Sequence, residues 1–447
     1  MSEIDRWEND IHRGDAAETL TQLPESSVHC VVTSPPYFGL RDYGVDGQIG
    51  LEESLGEYID ALVDIGAEIR RVLREDGSWW LNLGDTFASS PGWGSQSDAV
   101  GGHDADVDHS RRGFRRKSKM LVPHRVAIAL ENTGWVVRAD AVWHKPSGMP
   151  SSAHDRLNET KEFLFHLTPN PDYWFNLDAI REPHATVSIE RSTRADNRHE
   201  HSQRQSVANE ETLNPGQFVH PNGKNPGDLL EINPAQYPDT HFAVFPEELC
   251  ETPIKSSCPD RVCADCGTPY VREVEEIDPW DVEDPDREQL RRAIEVYESS
   301  DLTEEHLEAV RAYGFADAAA GKQQDRSGLN SDGVQELALE AKAALGGYFR
   351  EFTTTFKRTL GWVPDCDCET EVTQPGIVLD PFAGTGTACL VAKRFGLRFV
   401  GIELNPDYVA MAQRRVGINV DEPERLLEDE ETPLTAYTDA TGVDRDV

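Results

Sequence analysis

Two short stretches of the sequence carry residues able to do chemistry together. Thr33-Ser34-Pro35-Pro36-Tyr37 follows the apolar run Val28 to Val32, and Asp380-Pro381-Phe382-Ala383-Gly384-Thr385-Gly386-Thr387 follows the apolar run Gly376 to Leu379. In the first stretch, two consecutive prolines lack backbone N–H groups and hold φ fixed, so a strand must stop there and a stiff turn begin. That turn presents a hydroxyl, a carbonyl with no competing N–H, and an aromatic face. Ser34 Oγ and the Pro35 carbonyl can accept hydrogen bonds from an exocyclic NH₂ group, while Tyr37 stacks on the ring that bears it. A Pro-rich turn with a packed tyrosine is the blander reading of the same residues.

In the second stretch, glycines at a strand-to-helix crossover let the backbone approach a bound nucleoside closely. Glu403 ends the next strand, "RFVGIE", where a carboxylate can accept from both ribose hydroxyls. The turn lacks the Lys of a phosphate-binding loop, and Asp380 would repel a phosphate. A nucleoside without phosphates therefore fits better than ATP or a dinucleotide, and a tight turn needed only for packing is the alternative.

The elements around these turns must bring them to one place. Residues 8 to 90 alternate strand and helix: "DIHRGD", "VHCVVTS" and "GSWWLNLGD" read as strands. Between the last two, Leu55, Ile59, Leu62, Ile65, Ile69 and Leu73 keep the spacing of a helix lying on a sheet. This is the pattern of βαβ units, whose ligands sit at the carboxyl ends of the strands. A helix near "VPHRVAIALENTG" and strands "WVVRADAVWHK" and "EFLFHLT" follow. "HFAVFPEELCETPIK" reads as a helix entered at Pro246, and "GIVLDPFAGTGTACLVAKRFGLRFVGIELNPDYVAMAQRR" runs strand, turn, helix, strand, helix.

TSPPY with DPFAGTGT far downstream resembles the DNA amino-methyltransferases, and the order, catalytic motif before cofactor motif, resembles their β class. The likeness extends through "YFGLRDYG", "GSWWLNLGD", "AVWHKP", "HFAVFPEEL" and "VGIELNPDYV", covering most of residues 8–184 and 241–416. It implies an α/β fold: a Rossmann-like methyltransferase sheet, circularly permuted so that the catalytic half precedes the cofactor half. It also implies transfer of a methyl group from S-adenosylmethionine to an exocyclic amine of a base rotated out of double-stranded DNA. Carried over, Ser34, Pro35, Pro36 and Tyr37 are catalytic. Asp380, Phe382, Gly384, Thr385, Gly386 and Thr387 line the methionine and adenosine together with Thr33. Glu403 takes the ribose, and Asp15 is similar to the residue that contacts the adenine amine, although a Gly-Asp after a strand is often a simple turn. Ser at the first motif position favours N4 of cytosine in this family, with N6 of adenine the alternative. Methylation of an RNA base or a protein glutamine uses similar PPY turns but a different motif order. A zinc-bearing nucleic-acid-binding protein without catalysis would predict damage at Ser34, Tyr37 or the Gly-rich turn, and none is present. A restriction nuclease is the partner to look for in this class, although the chain itself carries no sign of one.

The domain organisation expected is a catalytic half over 1–184, a polar target-recognition region over 185–240, a returning helix over 241–256, a cysteine knuckle with an acidic helical insertion over 257–375, a cofactor half over 376–418 and a disordered acidic tail over 419–447. Within the third-from-last segment, residues 273–350 read as helical. Cys263-Ala264-Asp265-Cys266-Gly267 is a knuckle, and Cys366-Asp367-Cys368 supplies a second thiol pair. Two close pairs have the composition of a structural zinc site, with Cys258 a substitute ligand and unligated cysteines the alternative. Some relatives show a similar CxxCG and "GWVPxCxC". Cys30, Cys250 and Cys389 lie in apolar contexts and read as core.

Asp and Glu outnumber Lys and Arg by 81 to 43, for a formal charge of −38. At molar salt the screening length falls to about 3 Å, so this acidity suggests a halophilic source and does not exclude DNA. Arg111, Arg112, Arg115, Arg116, Lys117 and Lys119 form the dense basic cluster, at the end of a Gly-, Ser- and Asp-rich stretch read as a mobile loop. They could contact phosphate or simply be solvated. No apolar stretch reaches the roughly 18 residues needed to span a bilayer, and a charged N-terminus argues for a cytoplasmic protein.

Overall fold

The computed structural model of the chain describes residues 3–88, 114–115, 117–148, 151, 153–184, 223–234, 246–278, 288–317, 332–352 and 356–418. The chain divides into two units, 1–267 with 372–447, and 268–371. In chain order the first unit holds β1 (Asp10–Arg13), α1 (Ala16–Leu20), β2 (Val28–Thr33), α2 (Leu55–Val72), β3 (Leu73–Leu83), α3 (Val122–Asn132), β4 (Val136–His144), β5 (Lys161–Thr168), β6 (Leu229–Glu231), α4 (Glu247–Ser257) and β7 (Val262–Cys263). The second unit holds β8 (Tyr270–Ile277), α5 (Glu288–Glu298), α6 (Glu304–Asp317), α7 (Asp332–Leu345) and β9 (Phe356–Pro364). The first unit then resumes with β10 (Thr373–Gln374), β11 (Ile377–Asp380), α8 (Thr387–Arg394), β12 (Arg398–Glu403) and α9 (Pro406–Val416).

Eight strands form one sheet in the order β1-β12-β11-β2-β3-β5-β4-β6. Pairing is parallel from β1 through β3, antiparallel for β3–β5 and β5–β4, and parallel again for β4–β6. The central strands are mostly apolar because both faces are covered: every residue of β2 and of β11 is buried, with His29, Thr33 and Asp380 the polar ones. On one face, α2 packs Tyr58, Leu62, Ile65 and Ile69 around Trp79 and Trp135. Its start is fixed by a capping box in which Ser54 and Glu57 satisfy each other's backbone N–H groups. The other face buries Cys30, Cys250, Cys389 and Phe399 with α4, α8 and α9 residues, as the apolar contexts of those three cysteines led one to expect.

The sequence places the juncture of the two central strands under a buried cross-link. His29 Nδ1 lies 3.1 Å from the Ile377 N–H and must accept from it, which leaves Nε2 to donate to the Gly267 carbonyl 2.9 Å away. Burial holds this imidazole neutral, its pKa lowered to about 3.

In the second unit, α5, α6 and α7 bury Ala293, Leu307, Val310, Ala341 and Leu345 against Phe352. The helical reading of 273–350 needs one correction: Tyr270–Ile277 is a strand, paired antiparallel with Phe356–Pro364. In "YVREVEEI" Val271, Val274 and Ile277 fall three apart, a spacing that reads as helical and hides the hairpin. The unit begins at 268 and ends at 371, inside the expected 257–375, because β7 and β10 pair with each other in the first unit. Of the region 185–240, residues 223–234 are described, and Leu229–Glu231 joins the sheet edge as β6. The tail 419–447 lies outside the described residues. Among the described residues no helix is long and apolar enough to cross a membrane.

Trp79 is 2% exposed and its ring faces Gly66 and Trp135. Trp79→Ala should lower the folding free energy by about 3–5 kcal/mol, the cost of emptying a large aromatic site. A urea titration monitored by circular dichroism checks this through its midpoint, with the slope unchanged.

Candidate active site

Adjacent parallel strands bring the two motif turns together. β2 and β11 pair with Val378 opposite Cys30 and Leu379 opposite Val31, so both strands end side by side. At that end the Thr33 hydroxyl donates to Asp380 Oδ1 at 2.7 Å, across 347 positions of sequence. The Phe382 N–H donates to the same oxygen at 3.1 Å. Asp380 is fully buried and its other oxygen, Oδ2, has no partner among the described residues. Burial raises its carboxyl to about 7, against the two hydrogen bonds that favour the charged form, and the nearby Glu403 charge adds to the rise.

The strand ends open onto a cavity of about 350 Å³. Asp15, Ser34, Pro35, Pro36, Tyr37, Phe382, Gly384, Thr385, Thr387 and Glu403 line it. Thr33, Asp380 and Gly386 are not in the lining; they stand behind it and fix the two turns. Gly384 and Gly386 have φ of 53° and 74°, a region that disfavours other residues, and a Cβ at Gly386 would meet Ala412, Val416 and Ile11 at 3.1 to 3.2 Å. Asp15 also caps α1 by accepting from the Glu18 N–H at 3.0 Å. Glu403 accepts from the Gly384 N–H at 2.8 Å and the Asn405 N–H at 2.7 Å, one on each oxygen. Each oxygen keeps a further lone pair for a ligand hydroxyl. Burial raises the Glu403 carboxyl above its ordinary value.

Thr385 and Thr387 are held from behind. Arg415 of α9 donates to both hydroxyls at 2.9 Å and to Glu247 of α4 at 2.9 Å. That clamp was not apparent from sequence, since three separate segments supply it.

The second half of the site is a hydrogen-bonded cluster around the Pro-Pro turn. Asn82 of β3 donates through Nδ2 to the Phe163 carbonyl at 3.1 Å, which points its Oδ1 at the turn. Ser34 donates to that oxygen at 3.1 Å. With its one proton directed there or to Tyr37 Oη, 3.4 Å away, the Ser34 oxygen is left to accept from an amine in the cavity. Tyr37 Oη lies 2.9 Å from Asn82 Oδ1 and 2.7 Å from Glu162 Oε2. Glu162 is in turn paired with Lys145. Burial, then the Glu162 charge, holds the Tyr37 phenol well above its usual value and keeps it protonated. Tyr58 of α2 donates to the Pro36 carbonyl at 2.9 Å and fixes the turn from below. A Cβ at Gly84 would come within 2.5 Å of the Tyr37 ring, so only glycine lets that ring reach its place. Asn82, Lys145, Glu162 and Trp143, all in the cavity wall, were not singled out from sequence. The signal they had is that Asn82 falls within "GSWWLNLGD" and Trp143 and Lys145 within "AVWHKP", stretches of the family likeness, and Glu162 within the expected strand "EFLFHLT".

The four cysteines named as metal ligands fall two in each unit. Cys263 is buried on β7 and Cys266 exposed just after it, whereas Cys366 and Cys368 follow β9 and are partly exposed. Cys258 is buried at the end of α4. Of the basic cluster, Arg111, Arg112 and Arg116 lie outside the described residues. Arg115 is exposed, while Lys117 is paired with Asp155 and Lys119 with Glu159, with Asp85 3.6 Å from Lys119. Two of the lysines expected to meet phosphate thus carry carboxylate partners.

The raised Asp380 carboxyl makes the site a local cost to stability. Its folded value, about 7, lies above its ordinary 3.8, so the folded state binds the extra proton between those limits and the cost grows as pH rises through that window. Asp380→Asn keeps Oδ1 as acceptor for Thr33 and Phe382 and removes the charge. It should stabilise the protein by on the order of a few kcal/mol above pH 7, and the gain should vanish below about pH 4. Thermal midpoints of the two proteins across that range measure the difference.

The profile of the N6/N4 DNA methylase family matches residues 28–266 and 370–414 of this chain. The Type II methyltransferase M.SfiI of Streptomyces fimbriatus is 46% identical over 183 residues, which are 40% of this chain and 41% of that protein. The Type II methyltransferase M.SmaI of Serratia marcescens is 35% identical over 238 residues, 53% of this chain and 70% of that protein. Among solved structures, the PvuII DNA methyltransferase (cytosine-N4-specific) aligns over 92% of this chain and 87% of its own, at 14% identity and a TM-score of 0.42. The matched segments include both turns, β2, β3, β5, β11 and β12, and leave out residues 267–369: the chain belongs to the N6/N4 DNA methylase family.

Proposed function

We propose that the chain transfers the methyl group of S-adenosylmethionine to N4 of cytosine in duplex DNA, with the target base rotated out of the helix. The observation that carries this reading is the Thr33–Asp380 hydrogen bond of 2.7 Å, which ties the amine-holding turn and the nucleoside-holding turn to one cavity. The segment order supports reading the sheet as a circular permutation, with the catalytic half first. When bound, S-adenosylmethionine supplies an electrophilic methyl group on a sulfonium sulfur. The residues present fit it: Glu403 offers lone pairs for ribose hydroxyls, the backbone at Gly384 is open, Asp380 has an unpaired buried oxygen behind the turn, and Phe382 supplies an apolar wall.

The chemistry asked of this chain is to make a poor nucleophile better. An exocyclic amine has its lone pair delocalised into the base. Accepting its two N–H bonds at Ser34 Oγ and the Pro35 carbonyl pulls that pair back onto nitrogen and aims it. Tyr37 holds the ring by stacking, in a flipped-out pose whose unpairing costs a few kcal/mol. Ser34 favours cytosine over adenine by the family pattern noted from sequence. The relatives named as Type II methyltransferases support a nuclease partner of the same DNA specificity, and the acidic charge supports work at high salt.

Incubation with tritiated S-adenosylmethionine and DNA lacking its own methylation, in molar salt, should place label in DNA as N4-methylcytosine. Ser34→Ala should slow this by on the order of 10²-fold. Label in RNA or protein but not in DNA would discard the reading, and N6-methyladenine would correct the base.

We also propose a structural zinc ion held by Cys263, Cys266, Cys366 and Cys368. Within the first unit, Ala264 N–H donates to the Val372 carbonyl at 3.0 Å and Thr373 pairs with Cys263. The chain therefore leaves that unit and re-enters it at neighbouring points, with a thiol pair beside each crossing. Four thiolates and no open position suit a structural ion. Metal analysis of the purified protein should give about one zinc per chain, and a strong chelator should lower the thermal midpoint by several degrees. Cys266→Ser protein with unchanged zinc content would count against the assignment.

A further inference from the structure

Methyl transfer to a neutral amine leaves a proton to be disposed of, and the cavity wall contains a route for it. The amine nitrogen forms its bond to the methyl carbon, the C–S electron pair remains on sulfur, and the nitrogen, now positively charged, must lose one N–H proton. Ser34 Oγ, the acceptor of one amine N–H in the reading above, lies 3.1 Å from Asn82 Oδ1 and 3.4 Å from Tyr37 Oη. Asn82 cannot take the proton, because a neutral amide is not a base at physiological pH. Its Nδ2 is committed to the Phe163 carbonyl, so it orients hydroxyls and ends no relay. Beyond Tyr37 the geometry differs. Glu162 Oε2 sits 2.7 Å from Tyr37 Oη, and its other oxygen is paired with Lys145. Lys145 also lies 4.1 Å from the centroid of the Trp143 ring, the cross-strand partner of Glu162, so the ion pair is held against the sheet.

Resting on the methyltransferase reading, we propose that Glu162 is the positioning residue that receives the released proton through Tyr37 and Ser34. The amine proton passes to Ser34 Oγ as the Ser34 proton passes to Tyr37 Oη and the Tyr37 proton passes to Glu162 Oε2. Three O–H or N–H bonds break and three O–H bonds form, and the carboxylate becomes a carboxylic acid that later gives its proton to water. Tyr37 never becomes a free phenolate, in keeping with burial and a neighbouring carboxylate that both oppose one. Lys145, paired with the other carboxylate oxygen, holds the side chain in register between turns of the reaction.

The test compares wild type with Glu162→Gln, which preserves shape and a hydrogen-bonding oxygen but not the capacity to take a proton. Single-turnover methyl transfer should slow by on the order of 10²-fold. Dissociation constants for S-adenosylmethionine by calorimetry and for a DNA duplex by fluorescence polarisation should stay within about twofold, a split that a merely structural role would not give. Glu162→Asp, which keeps the base on a shorter arm, should recover part of the rate. If Glu162→Gln does not fold, Tyr37→Phe decides: it keeps the stacking ring, cuts the relay, and should show the same slowing with the same binding. A wild-type rate in the folded variant, or a loss matched by weakened binding, overturns the inference. Wild-type protein that labels no DNA overturns the methyltransferase reading instead, and this inference with it.

Discussion

The site hangs on a single buried hydrogen bond between two strands that are neighbours in space and remote in sequence. Thr33 at the end of β2 and Asp380 at the end of β11 meet at 2.7 Å, and each is the residue at which its strand becomes a turn. Because the strands are parallel and paired in register, their turns emerge on the same edge of the sheet. Everything in the cavity wall is placed relative to that edge: Glu403 by the next strand on one side, Asn82 and Glu162 by the next strands on the other. A buried carboxyl is an expensive way to make such a joint. Asp380 retains an unpaired oxygen and a raised carboxyl, which is the kind of unresolved cost that folded chains keep where function needs it.

What the sequence reveals follows from how these strands are buried. β2 and β11 are covered on both faces, so they read as unbroken apolar runs, and the residues that end them, prolines and glycines, are strong punctuation. α2 is readable from its period: of its expected apolar positions, Leu55, Leu62, Ile65, Ile69 and Leu73 are buried and Ile59 is half-buried. The cluster of Ser34, Tyr37, Asn82, Glu162 and Lys145 is not readable in the same way. It depends on the antiparallel register of β3, β5 and β4, in which Asn82 faces Leu164 and Glu162 faces Trp143. Alternation tells which residues share a face of one strand, but not which residue of the next strand lies opposite. The clamp of Arg415 on Thr385, Thr387 and Glu247 escapes for the same reason, as does the β8–β9 hairpin behind its acidic residues.

The two halves of the cavity differ in what holds them. On the side of the Gly-rich turn the walls are backbone N–H groups, glycines and a carboxylate whose oxygens are already engaged, a rigid frame. On the side of the Pro-Pro turn the walls are side chains whose hydroxyl protons have more than one place to go. Tyr37 has one proton and two acceptors within reach, and Ser34 has one proton and two neighbours. A rigid cradle beside a set of movable protons is the division of labour that a group transfer requires.

The placement of β1 has a bearing on how the molecule comes into being. Among the described residues this strand, near the start of the chain, pairs with β12 alone, and Arg398 reaches back to Glu8 at 2.8 Å. During synthesis the early strand must therefore wait, unpaired, for a partner some 390 positions later, a closure that is slow and comes last. A ribosome-bound fragment would own the Pro-Pro turn but not the Gly-rich turn beside it. The chain acquires its reactive chamber only when its final strands arrive.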